Sequence, residues 1–174
     1  MSAVLVFAAS AAIHMALGYH RNDLRELPNE DEVAEALRRG GAKPGDYAMP
    51  HAAGMEAMKD PSYLERLARG PVGFLTLAAG GPPSMGKTLM QWFVYCLVVT
   101  VFAAYVVGRA VGPAAPFSEV FRFSATVAFV GYALALWQDS IWYKRAWSTT
   151  LKNSFDGVVY AALTGTAFGW LWVG

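Results

Sequence analysis

The chain has 174 residues, of which 55% are hydrophobic, 14% aromatic and only 16% charged. Soluble domains usually carry about a quarter charged residues, so this composition excludes a disordered chain or a polar tail. The single cysteine, Cys96, excludes a disulfide framework and a multi-cysteine zinc site, and a formal charge of +1 gives no general attraction to nucleic acid.

Four blocks carry no charged residue: Ala3–Tyr19, Leu89–Val107, Phe123–Trp137 and Val158–Val173. As helices the first two extend roughly 26 to 29 Å, close to the hydrocarbon thickness of a bilayer. The other two are shorter, but Arg122 can snorkel and Trp142, Trp147 and Trp172 suit an interface. Apolar residues surround every block and leave no polar face for water. The sequence therefore predicts an all-α membrane protein, a four-transmembrane-helix bundle with a helical and loop insertion between helices one and two. Residues 1–19 form the first span, 20–87 the cytoplasmic segment and 88–174 the remaining three spans. Only Met1 and Ser2 precede the first block, without a positive n-region, so it reads as a retained span and not as a cleaved signal.

Four spans put the 20–87 segment and the 138–153 loop on one side. Nine basic residues lie between Arg21 and Lys87, and Lys144, Arg145 and Lys152 lie in the short loop. The opposite side has only Arg109 and Arg122. The positive-inside rule places the basic loops in the cytoplasm and both termini outside, with the short loop carrying most of the weight.

Within the insertion, Asn29 is the expected cap of a helix that begins with Glu30, Asp31 and Glu32. Arg38 and Arg39 suit its last turn, and Gly40–Gly41 ends it. A second helix follows Asp60, with Pro61 at its first position and Gly70–Pro71 closing it. Residues 74–79 read as a strand or as an interfacial segment, which periodicity does not separate.

Gly81–Thr88 reads GPPSMGKT and matches the phosphate-binding pattern of two glycines four residues apart followed by Lys-Thr. Pro82 and Pro83 remove two of the backbone donors that would cradle a phosphate, and an apolar span follows in place of a βαβ unit. The expected role is a turn, with Ser84 capping and Lys87 anchoring the second span; nucleotide is not an expected partner, and neither is nucleic acid.

Ionisable residues at the edge of a span are costly and point to function. The proposed topology gathers His14, His20, Asp139 and Asp156 at one end of the bundle, with His51 in the loop above. Imidazole with carboxylate suits zinc, iron or manganese, so these five are the candidate metal ligands. His14 and His20 are six residues apart, which on one helix sets them on different faces. A His14–Asp156 pair can also line an ion or proton path, and Ser10 leaves room for a tetrapyrrole held by His14. No catalytic residues and no resident cofactor are expected.

Gly157, Ala161, Gly165 and Gly169 repeat at four-residue spacing, as do Ala8, Ala12 and Ala16. Such small residues let helix backbones approach in lipid, within one chain or between copies.

Leu17-Gly18-Tyr19-His20, Gly70-Pro71-Val72-Gly73 and the hairpin from Ile141 to Trp172 resemble small four-helix bacterial inner-membrane proteins of unknown function. The resemblance implies the topology and a bacterial inner membrane, and implies no activity. The leading functional expectation is a non-enzymatic accessory, scaffolding or docking subunit, in contact with the bilayer and with itself or a larger complex. The alternatives are a small oligomeric transporter using His14 and Asp156, and a metal- or tetrapyrrole-binding membrane protein.

Overall fold

The computed structural model describes residues 1–172. Val173, which ends the fourth apolar block, lies outside the described residues. The protein is 67% helical and divides into two compact units. The first comprises Met1–Leu24, Pro83–Ile141 and the chain from Arg145 onward; the second comprises Arg25–Pro82 and Trp142–Lys144.

The first unit is a helical bundle of α1 (Ser2–Ala16), α4 (Met85–Ala110), α5 (Phe117–Tyr132), α6 (Trp137–Trp142, whose last residue is grouped with the second unit) and α7 (Trp147–Leu171). The helices α4 and the run Phe117–Trp142 are long and apolar enough to cross a membrane. Ser84 starts α4, its hydroxyl accepting from the Lys87 amide at 3.4 Å, as the sequence suggests. Helix α5 starts earlier than the third apolar block and takes Arg122 into its length. It breaks at Ala133 (φ −122°, ψ −54°), passes through a 3-10 turn at Leu134–Leu136 and resumes as α6. Two features meet at this break. Tyr95 donates its hydroxyl to the Gly131 carbonyl. Gly157 of α7 lies so close that a Cβ there would fall 2.7 Å from the Ala133 Cβ.

The glycine ladder of α7 faces α5. A Cβ on Gly165 would sit 2.7 Å from the Phe121 ring, and one on Gly169 would sit 2.5 Å from Phe117. The close approach is therefore spent inside the chain. On α1 the buried face is Ala3, Val6, Ser10 and Ile13, and Ala8, Ala12 and Ala16 lie on the exposed side.

The interior of this unit mixes apolar side chains such as Val6, Val99, Val107 and Val120 with hydroxyls, and large apolar side chains also cover its outside. Ser10, Ser124, Thr150, Ser154, Asp156 and Thr164 are buried, while Val101, Phe102, Tyr105, Phe155 and Trp170 are more than half exposed. Only 22% of the most apolar stretch of α4 is buried. The buried hydroxyls bond inward, to carbonyls one turn back (Ser124 to Val120, Ser154 to Thr150, Thr164 to Tyr160) or to each other (Ser140 with Thr150 at 2.7 Å).

The second unit contains α2 (Glu30–Arg39), α3 (Pro61–Arg69) and an antiparallel pair, β1 (Gly45–Met49) and β2 (Gly73–Leu77), in the register Tyr47 opposite Leu75. The pair is a small addition to a mostly helical chain: 73–77 is strand, one of the two readings open for residues 74–79, and β1 has no alternating pattern to announce it. Thr76 donates to Asp46 across the pair at 2.6 Å. Asp60 caps α3 through the Ser62 amide at 2.7 Å, and the Ser62 hydrogen bonds hold its carboxyl below the usual carboxylate range. Asn29 does not cap α2 with its side chain; it adopts a left-handed conformation (φ 54°, ψ 45°) that takes the side chain away from the first amides. No residue of α2 or α3 is buried.

Candidate metal centre

The centre forms where α1 stops. Leu17 is extended (φ −94°, ψ 109°), which ends the helix, and Gly18–His20 make one 3-10 turn. That turn lays the His20 ring parallel to His14, with 4.7 Å between centroids and 4° between planes. A continuous helix would keep the two histidines on different faces; its interruption at Leu17 brings them together. From α7, Asp156 enters the same place with 3% of its surface exposed. One donor atom from each of His14, His20 and Asp156 lies within 4.8 Å of the others. In a tetrahedral site two ligand atoms at about 2.1 Å from the ion lie about 3.4 Å apart. Closing that difference asks His14, which is exposed, to turn out of its parallel stack on His20.

Hydrogen bonds orient each ligand. His14 Nδ1 lies 3.0 Å from the Ser10 carbonyl, which can only accept, so Nδ1 is the donor. His20 Nδ1 donates to Asp23 Oδ2 at 2.6 Å, and its Nε2 lies 2.9 Å from Asp156 Oδ2. Tyr19 donates its hydroxyl to the other Asp156 oxygen, Oδ1. Lys152 Nζ donates to the Tyr19 carbonyl at 2.6 Å and to Asp23 Oδ1 at 2.7 Å. Burial pushes the Asp23 carboxyl up, but the hydrogen bonds and charges of Lys152 and His20 outweigh it and hold the group below the usual carboxylate range. Asp23 is thus an ionised acceptor behind His20, and a carboxylate behind a histidine is the usual support of a ligating imidazole.

The structure brings together three of the five residues named from the sequence. Asp139 pairs instead with Arg145 at 3.8 Å, on a half-exposed surface. His51 belongs to the second unit. The Ser10 hydroxyl accepts from Trp92 Nε1 at 2.8 Å and donates to the Phe7 carbonyl at 2.9 Å. Tyr19, Asp23 and Lys152 were not singled out from the sequence, although the Leu17-Gly18 helix stop is a readable signal that the chain turns there. In Gly81–Thr88, Gly86, Lys87 and Thr88 lie in the first turn of α4, and Pro82 and Pro83 ahead of it carry no amide hydrogen.

No protein-family model, no curated protein and no solved structure matches this chain.

Proposed function

We propose that this chain is an integral membrane protein that binds a divalent transition-metal ion through His14, His20 and Asp156. The observation that carries the metal reading is the completeness of the support. Both imidazoles have Nδ1 engaged, on the Ser10 carbonyl or on Asp23, and each has a donor atom within 4.8 Å of the buried Asp156 carboxylate, His20 through Nε2 at 2.9 Å. Two nitrogens and one oxygen suit zinc, iron, manganese or cobalt better than calcium or magnesium. This favours the metal-binding alternative over a docking role.

The membrane reading rests on the many large apolar side chains exposed around the first unit and on the two helical runs long and apolar enough to cross a membrane. We extend it to four crossings, by α1, α4, the Phe117–Trp142 run and α7, in a bacterial inner membrane. Lys144, Arg145 and Lys152 support a cytoplasmic 138–153 loop and external termini.

The test starts with membranes from expressing cells. The chain is expected to stay with them through an alkaline wash and to leave only in detergent; release by the wash overturns the membrane reading. The purified protein is then titrated with Co2+. The expected result is one ion per chain, lost in the double variant His14→Ala/Asp156→Asn and weakened about 10- to 100-fold by Asp23→Asn, which keeps every ligand but alters the support of His20. Equal cobalt binding by the wild type and the double variant overturns the metal reading.

A further inference from the structure

We propose that the metal-loaded centre keeps an open coordination position that takes a small monovalent anion, of the hydroxide, azide or carboxylate class. The inference rests on the metal reading above and goes on to the ligand that the centre recruits.

The first argument is the count of donors. Among the described residues, His14, His20 and Asp156 are the side chains that converge. A zinc-like ion takes at least four ligands, and sites with three protein ligands leave the fourth position to water or substrate. The neighbouring polar groups are committed elsewhere. Asp156 Oδ1 accepts from Tyr19, Asp23 Oδ2 holds His20, Asp23 Oδ1 holds Lys152, and Lys152 also holds the Tyr19 carbonyl. None of these groups is spare; the buried Tyr160 hydroxyl, one turn along α7 from Asp156, has no hydrogen-bond partner among the described residues, but a neutral phenol is a poor ligand for such an ion beside a small anion.

The second argument is charge. A ligating imidazole is neutral, so a divalent ion with Asp156, Asp23 and Lys152 leaves a net charge of about +1 at the centre. Asp156 is 3% exposed, and the His20 and Asp23 side chains are 12% and 15% exposed, so water screens this charge poorly. A monovalent anion on the ion neutralises it.

The third argument is access. Asp156 closes the inner side, whereas His14 is exposed, so the open position faces the His14 side. The His14 and His20 rings lie parallel with 4.7 Å between centroids, which leaves no slot between them for a flat organic ligand and limits the guest to a few atoms.

The test uses the full chain in detergent, loaded with Co2+ and followed by its visible absorption. Azide and thiocyanate are the probes. The expected result is a saturable change of the cobalt bands with either anion. Lys152→Gln keeps a hydrogen-bonding side chain beside Asp23 and removes one positive charge. It is expected to tighten Co2+ and to weaken the anion about tenfold. Damage to the fold would weaken both, so the opposite signs are the signature. Cobalt bands that ignore both anions overturn this inference while leaving the metal reading standing, as does an anion affinity unchanged in Lys152→Gln. Absence of any cobalt band overturns the metal reading and this inference with it.

Discussion

His20 has a carboxylate at each ring nitrogen, Asp23 at 2.6 Å and Asp156 at 2.9 Å, and this arrangement depends on Tyr19 as much as on the histidine. The Tyr19 hydroxyl satisfies Asp156 Oδ1 and leaves Oδ2 alone for His20 or a metal. Tyr19→Phe leaves a buried carboxylate oxygen without its donor. It is expected to lower stability by about 1–3 kcal/mol, measured by thermal unfolding in detergent. A variant as stable as the wild type would show that Oδ1 reaches another donor. At this scale the sequence was half readable. The residue types of the ligands and their common end of the bundle follow from the charge-free blocks. The pairing of His14 with His20 does not, because a helical wheel drawn through Leu17 separates them and only the backbone turn at Gly18 reunites them.

The elements with local stop and start chemistry are the ones the sequence locates. Asp60-Pro61 opens α3, Gly40–Gly41 closes α2 and Ser84 opens α4, each through side-chain or backbone geometry that acts within one turn. What stayed hidden depends on distant partners. The break at Ala133 is set beside Tyr95 and Gly157, which lie on other helices, and β1 owes its form to β2. The same division predicts how glycines respond to a methyl group. Gly157→Ala drives a Cβ to 2.7 Å from Ala133 and 3.2 Å from its backbone, where nothing flexible can yield. It is expected to destabilise the bundle by about 1–3 kcal/mol. Gly108→Ala, in α4 with nothing within 4 Å of the new Cβ, is expected to be neutral or to stabilise by up to about 1 kcal/mol. Denaturation of both variants in the same detergent checks the contrast, and equal effects would mean that α7 does not lie against the α5 break.

Across the whole molecule, the low average charge conceals a division of labour. The bundle buries several hydroxyls within its core and exposes many large apolar side chains, whereas the charge-rich second unit has two short helices without a buried residue and a two-stranded sheet. The route of the chain between them has a practical outcome. Helix α1 precedes the 25–82 stretch and α4 follows it, yet α1 is bound to the rest of the bundle by Ser10 with Trp92, Ser2 with Thr100, and Tyr19 and His20 with Asp156. A gene cut at Gly54, which is exposed and has nothing within 4 Å of where a Cβ would stand, divides the protein into two polypeptides that each retain one side of those contacts. Co-expressed, the halves are expected to reassemble and to co-purify through a tag on either one, and Ser10→Leu is expected to abolish the pairing; halves that never meet would show that the covalent link holds α1 in place. The centre then becomes a split reporter, since His14 and His20 arrive on one polypeptide and Asp156 on the other, and only the reunited pair has all three candidate ligands.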